Sequence, residues 1–101
     1  MQLTVTGRHL DVTDPMKKYA EEKAVKLTRY YDRIESIDLV LEQNSNQHQV
    51  EILVRTDHKH TFVAKVDAKD YYEAVDLVLD KMVRQLRDHK QQHRNRKHPD
   101  G

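Results

Sequence analysis

The sequence lacks several residue types and motifs that would support specific functions. It contains no cysteine, so it can form no disulfide and offers neither a thiolate metal ligand nor a cysteine nucleophile. It has only two glycines, and the glycine-rich loops that cradle phosphate groups are absent, as are the GxSxG and HExxH motifs of hydrolases. These absences argue against an enzyme. We expect no cofactor, no small-molecule substrate and no catalytic residue.

Long hydrophobic runs are also missing. No apolar segment approaches the roughly 20 residues that span a bilayer, and the N-terminus MQLTVTGRHL lacks the basic and then apolar regions of a signal peptide. We therefore expect a cytoplasmic protein without a membrane partner. With 101 residues, of which 37% are hydrophobic and 35% charged, the chain is long enough for one domain with one modest core.

The net charge of +1 hides an asymmetry along the chain. Residues 1–76 contain 11 Lys and Arg against 14 Asp and Glu, whereas residues 77–101 contain 7 against 3. A basic end is typical of an element that binds a polyanion, although a solvated helix face followed by a frayed tail gives the same counts. Charge alone leaves both interpretations open.

The pattern of apolar residues predicts an α+β fold with the order β-α-β-β-β-α. Residues 2–7 alternate apolar and polar side chains, which is typical of a strand. Thr13-Asp14-Pro15 supplies an N-cap and an early proline, and the spacing after it predicts a helix over Asp14 to Tyr31. Three alternating segments separated by polar turns follow, and a second amphipathic helix closes the domain. We expect a four-stranded sheet with both helices packed on one face, over residues 1–90, and a basic, disordered tail over residues 91–101.

The stretch DKMVRQLRDHK, from Asp80 to Lys90, places cations among hydrophobic residues of the last helix. With Val75 at 0°, the apolar residues fall within about 80° of it, while Lys81, Arg84 and Arg87 fall between about 120° and 240°. The apolar face can therefore pack on the sheet while the cations face solvent. Cations of the first helix also turn away from its apolar stripe, so the two helices predict a positive ridge suited to a phosphate backbone. These cations are Lys18, Arg29 and Arg33, with Lys26 at the margin.

Three other features have both a structural and a functional interpretation. Lys23 lies inside the apolar stripe of the first helix, where it either snorkels over apolar surface or faces a ligand in a seam. The pairs His89 with His93 and His58 with His60 have spacings that could hold a metal, but no third ligand completes either pair, so we expect solvated histidines and no metal. The five tyrosines could stack on bases, but four of them have the helical spacing of core residues, namely Tyr19, Tyr30, Tyr31 and Tyr71, and Tyr72 is the freest.

The motifs TGRHLDVTDPMKKY, KLTRYYDRI and DYYEAVDLVLDKMVRQLRDHK occur in this order over residues 1–90. This ordered set resembles the ribosome hibernation-promoting factors, a family that includes the ribosome-associated translation inhibitors and was also described as modulating a sigma factor. The resemblance implies a fold like a double-stranded RNA-binding domain. It also implies binding in the decoding region of the small ribosomal subunit, where the protein blocks the mRNA and tRNA sites by occupancy.

The resemblance also implies which residues contact ribosomal RNA. On the first helix they are Lys23, Lys26, Arg29 and Arg33, and on the last they are Lys81, Arg84, Arg87 and Lys90. Asp70 and Tyr72 match the motif that opens the last helix, where Asp70 could equally be only an N-cap.

Within the family, the chain resembles the short form. Long members carry a second domain that pairs ribosomes, whereas this chain ends at Gly101, and its tail is short and basic, unlike the longer acidic extension of the inhibitor branch. The short form promotes inactive dimers of whole ribosomes, in stationary phase or stress, together with a separate small ribosome modulation factor. Two alternatives stay open: a protein-binding regulator of transcription, which would use Val40, Leu53 and Val63 on the open sheet face, and a free double-stranded RNA binder.

Overall fold

A computed structural model describes residues 1–57 and 59–96, with the backbone alone for residues 91–96. The elements follow the predicted order β-α-β-β-β-α. The strands are β1 (Gln2–Arg8), β2 (Ile34–Asn44), β3 (Gln47–Thr56) and β4 (Thr61–Ala68). The helices are α1 (Asp14–Ala24), a 3₁₀ segment over Val25–Arg29, and α2 (Tyr71–Arg96).

The four strands form one mixed sheet in the order β1-β2-β3-β4. β1 runs parallel to β2, as a pair joined by a helical crossover requires, and the pairs β2–β3 and β3–β4 are antiparallel. The turn between β2 and β3 consists of Ser45 and Asn46, inside the polar run that predicts it. β1 and β4 are the outer strands, so each presents one edge that pairs with no strand among the described residues.

One face of the sheet is buried beneath both helices. α2 packs on β3 and β4, while α1 contacts β1 and α2. Because successive side chains of a strand point to opposite faces, every second residue of the two central strands enters this core. Those residues, all fully buried, are Ile37, Leu39, Leu41, Val50, Ile52 and Val54. The predicted four-stranded sheet with two helices on one face is confirmed.

α1 begins as the sequence predicts but ends earlier. The Thr13 side chain accepts a hydrogen bond from the backbone N–H of Met16, and Pro15 lies in the first turn. The predicted helix runs to Tyr31, whereas α1 ends at Ala24 and continues as the 3₁₀ segment. Within that segment the Thr28 hydroxyl donates to the carbonyl of Val25, and such local side-chain bonds compete with regular helix. The last turn therefore tightens and the chain leaves the helix axis before Tyr31.

α2 is the longest element and carries the largest share of the apolar helix surface. The Asp70 carboxylate accepts a hydrogen bond from the N–H of Glu73, which caps the start of the helix. The helix passes the predicted domain boundary at residue 90 and continues to Arg96, because Gln and Arg in this stretch are good helix formers. Residues 97–101 lie outside the described part, and a disordered tail stays a prediction. Among the described helices, none has the length and apolar content needed to cross a membrane.

Gly7 is required near the end of β1 because the chain folds back over it. A Cβ atom here would lie 2.9 Å from Cγ2 of Val12 and closer still to the carbonyl oxygen of Leu10. His9, two residues later, has a φ of 58°, which is the left-handed conformation that turns the chain. The connection to α1 therefore packs directly on β1 and fixes where α1 starts.

Candidate nucleic-acid interface

The cations of α2 diverge around the helix axis. Residues three apart are rotated by about 60°, so Lys81, Arg84 and Arg87 follow a spiral and not a single line. Lys81 reaches the edge of the sheet, where its Nζ donates to the carbonyl oxygen of Lys65 at 3.2 Å. Arg87 turns toward the first helix, with its guanidinium carbon 5.3 Å from the ring centroid of Tyr30. Arg84 lies between them and is exposed.

Lys81 has a structural role in addition to its predicted one. β4 is an outer strand, and its carbonyl groups at Val63 and Lys65 accept hydrogen bonds from the side chains of Gln85 and Lys81, respectively. Two side chains one helical turn apart thus satisfy two alternate carbonyls of the strand edge. Covered edges of this kind resist pairing with another chain. Because the ammonium of Lys81 already donates to the carbonyl of Lys65, it is less available to an RNA phosphate than the sequence alone predicts.

The cations predicted for the first helix lie on three different backbone segments, which are α1, the 3₁₀ segment and the turn before β2. Lys23 is on α1, and its Nζ lies 3.7 Å from Oδ1 of Asp76 and 5.4 Å from the ring centroid of Tyr19. Lys26 and Arg29 are exposed on the 3₁₀ segment. The ammonium of Lys23 thus lies over the Tyr19 ring and beside the Asp76 carboxylate, between the two helices, and its contact with ribosomal RNA stays a prediction.

Arg33 is not on the first helix, contrary to the prediction. It lies in the turn before β2 with a φ of 65°, its carbonyl accepts from the N–H of Asp57, and its guanidinium pairs with the Asp57 carboxylate at 3.4 Å. These contacts hold the turn against the end of β3. Its predicted contact with ribosomal RNA stays untested, and its position separates it from the other cations of the ridge.

Four of the predicted cations make no hydrogen bond, ion pair or ring contact within residues 1–57 and 59–96. All four are exposed, so their charges can meet a ligand without breaking a contact of the folded protein. We call them the free cations: Lys26, Arg29, Arg84 and Lys90.

Acidic residues interrupt the ridge between the two helices. Asp76 and Asp80 of α2 line a groove whose opposite wall carries Lys23 and Lys26. The surface is therefore not a uniform positive stripe. Asp76 was not singled out from the sequence, because its contacts depend on where α1 lies against α2.

Asp76 also organises the start of this groove. Its Oδ1 accepts a hydrogen bond from the Tyr19 hydroxyl at 2.7 Å. This bond, together with burial and the negative charge of the carboxylate, raises the pKa of Tyr19 from 10.0 to about 12. Because folding raises the pKa, the bond contributes its full stability below pH 10 and loses it as the pH rises toward about 12.

The Asp76→Asn variant is expected to lower the pKa of Tyr19 toward its ordinary value, because an amide oxygen is a weaker acceptor and carries no charge. The measurement is an NMR pH titration of the Tyr19 ring, with circular dichroism recorded at each pH to show that the helices are intact. Identical titration of Tyr19 in the variant and the wild type would contradict this assignment.

Tyr72 and Asp70 lie at the start of α2. The Tyr72 ring is 39% exposed and packs edge-on against the rings of Tyr19 and Tyr71, at centroid distances of 4.9 and 5.0 Å. Tyr71 is buried and its hydroxyl donates to the carbonyl of Met16, and burial raises the pKa of Tyr71. Asp70 serves as the N-cap already described. Both Asp70 and Tyr72 thus have structural roles, and their contact with ribosomal RNA stays a prediction.

Each histidine pair considered for a metal has one member whose side chain lies outside the described residues. His58 and the side chain of His93 lie outside the described residues. The structure instead brings His60 and His89 together as stacked rings, 4.8 Å apart between centroids, against Phe62. The residues described contain no group of three or more metal-ligating side chains.

The open face of the sheet offers only a small apolar patch. Val63 is 46% exposed, and Leu53 and Val40 are half-buried. Leu53 lies between Val63 and Asp38 in the sheet, and the Asp38 carboxylate accepts hydrogen bonds from Thr4 and Arg55. An apolar patch broken by charged pairs is ordinary for a solvated sheet face.

Comparisons with known proteins agree with this fold. The model of the family described as sigma 54 modulation protein / S30EA ribosomal protein matches residues 3–94. The chain belongs to this family. A ribosome hibernation promoting factor from Azotobacter vinelandii is 36% identical over 91 residues, which cover 90% of this chain and 84% of that protein. The resemblance to the hibernation-promoting factors, read from the sequence motifs, is confirmed.

Solved structures of S30EA relatives share the architecture. A ribosomal subunit interface protein from Coxiella burnetii superposes with a TM-score of 0.79 at 27% identity, covering 89% of this chain and 98% of that chain. The N-terminal domain of Protein Y from Thermus thermophilus gives a TM-score of 0.78 at 27% identity, covering 88% and 99%, respectively. The α+β fold predicted from periodicity is therefore also the fold of these S30EA relatives.

Proposed function

We propose that the protein is a ribosome hibernation factor that binds ribosomal RNA in the decoding region of the small subunit and so blocks the mRNA and tRNA sites. It acts in the cytoplasm, in stationary phase or stress, and favours inactive ribosome dimers together with a separate small ribosome modulation factor. It acts by occupancy and without catalysis.

The observation that carries this proposal is the set of free cations. Lys26, Arg29, Arg84 and Lys90 are exposed and have no partner in the described part of the chain, on the helical side of a fold shared with a ribosomal subunit interface protein. Cations held on rigid helices neutralise phosphates without needing contacts to base edges. Such a surface suits an RNA-walled cavity recognised by shape and charge.

The testing experiment is co-sedimentation of the protein with purified small ribosomal subunits across a salt series. If about five phosphates are neutralised, the logarithm of the binding constant should fall with the logarithm of salt concentration with a slope of about −4. Added mRNA and initiator tRNA should compete with the protein. Binding that ignores salt, or that persists unchanged beside bound mRNA and tRNA, would contradict the proposal.

The same assay separates the two alternatives. A generic RNA duplex in excess would remove the protein from subunits if it were a free double-stranded RNA binder. A transcription regulator would not bind the subunits, so it would stay in the supernatant at every salt concentration while the subunits pellet. In the described residues, no feature of the open sheet face favours a role in transcription over ribosome hibernation.

A further inference from the structure

The groove between the two helices has an apolar floor, which the binding of phosphate groups does not require. Its volume is about 330 Å³, and its floor is formed by Leu27, Leu79 and Val83. Leu27 and Leu79 belong to the hydrophobic core, and Val83 packs against it. Phosphates need only exposed cations, whereas an apolar floor gains free energy when it meets a flat, weakly hydrated group such as a base.

The rim of the groove carries charges of both signs. Lys23 and Lys26 lie on one wall, and Asp76 and Asp80 lie on the other. Asp76 already accepts from Tyr19 and lies near Lys23, whereas Lys26 and Asp80 have no partner among the described residues. A continuous phosphate backbone would be repelled by the aspartate wall. A ligand with one anionic group and separate hydrogen-bond donors fits both walls.

Tyr30 is the aromatic member of the groove lining. The guanidinium of Arg87 lies over its ring, a cation–π contact that restrains the ring in the free protein. The groove is therefore formed before a ligand arrives, which reduces the entropy lost on binding. Its volume lies near the lower end of the roughly 300–1,000 Å³ of small-molecule pockets, so it has room for one nucleotide and none for a duplex.

We propose that this groove binds a single unstacked nucleotide of an RNA strand. Its base packs on Val83, which is half-buried above Leu79, its phosphate meets Lys26 and Lys23, and Asp80 accepts a hydrogen bond from a donor group of the nucleotide. Proteins that recognise RNA sequence-specifically commonly bind unstacked bases of single strands. This inference rests on the proposed function, since it places one nucleotide of the bound RNA between the helices.

The Val83→Phe variant tests the groove without removing a charge. The larger side chain occupies the space of the base, so affinity for small subunits should fall about tenfold or more, while the salt slope becomes shallower by only about one, because a single phosphate leaves Lys23 and Lys26 and every other cation keeps its phosphate. Val25→Phe is the matched control, since Val25 is 45% exposed on the 3₁₀ segment and does not line the groove. The control should bind like the wild type. Thermal melting of both variants verifies that they are folded.

A second measurement does not depend on ribosomes or on the variant. Single-stranded RNA tetranucleotides are titrated into the wild-type protein, and the methyl resonances of Leu79 and Val83 are followed by NMR. We expect these methyls to shift with the tetranucleotides but not with inorganic phosphate. Equal shifts with adenosine monophosphate at the same concentration would identify a free nucleotide as the ligand and overturn the assignment to RNA.

The two measurements distinguish the failure of this inference from the failure of the proposed function. If the wild type binds subunits, Val83→Phe binds equally well and the methyls do not move, the nucleotide site is wrong and the hibernation function stands. If the wild type does not bind subunits but the tetranucleotides shift the groove methyls, the proposed function is wrong and the nucleotide site stands.

Discussion

Changing Lys26, Arg29 and Arg84 together to Glu is expected to weaken binding to small ribosomal subunits by at least about 100-fold. These three free cations make no hydrogen bond, ion pair or ring contact in the described part of the chain, so their reversal removes phosphate neutralisation and adds repulsion without breaking such a contact of the fold. The salt slope should also become shallower by about three, one for each phosphate that is no longer neutralised. Sedimentation across the salt series measures both quantities.

A matched control carries the same three charge reversals on the other face of the sheet. Arg8, Arg55 and Lys65 are exposed there, and their change to Glu alters the net charge from +1 to −5, as the first variant does. Arg8 and Arg55 pair with Glu42 and Asp38, and more than half of each arginine side chain is exposed, so these ion pairs contribute little to stability. We expect the control to retain most of its affinity. Equal weakening in both variants would show that net charge, and not the helical surface, governs binding.

Lys81 is not among the residues changed to Glu, because it has a structural role. Its hydrogen bond to the carbonyl of Lys65, beside that of Gln85 to Val63, covers the free edge of β4. A Glu at this position would place an acceptor against a carbonyl and expose the strand edge. Weaker binding by such a variant would not distinguish a change of fold or aggregation from a change of the RNA-binding surface.

Periodicity alone predicted the faces of α2 correctly. The helix angles place Lys81 at 240°, Arg84 at 180° and Arg87 at 120° from Val75, and in the structure these three side chains reach the β4 edge, solvent and the Tyr30 ring, respectively. Val75 itself is fully buried. A repeating backbone geometry fixes such directions before any tertiary contact forms, which is why sequence suffices for them.

Features that depend on tertiary contacts could not be read from the sequence. The turn at Arg33, which the pattern of apolar residues does not mark, is held by Asp57 from the end of β3. The groove likewise joins residues that are about 50 positions apart in the chain, such as Lys23 and Asp76. Its composition follows from how α1 lies on α2, which no local signal encodes.

The placement of cations depends on how firmly α2 is attached to the sheet. Binding by occupancy gains from preorganisation, because cations held in position lose less entropy when they meet phosphates. The residues that bury the second half of α2 therefore affect both stability and the geometry of Arg84 and Lys90. Leu86 is fully buried between these two residues in sequence.

Leu86→Ala is expected to lower the free energy of unfolding by about 2–5 kcal/mol, through reduced apolar burial and the cavity left behind. This is a large part of the roughly 5–15 kcal/mol that stabilises a small domain. Urea unfolding followed by circular dichroism measures the decrease. Leu77→Ala is the matched control, because Leu77 is 44% exposed on the same helix and should change stability by less than about 0.5 kcal/mol. If the two substitutions cost the same, α2 does not use Leu86 to attach its cationic half to the sheet.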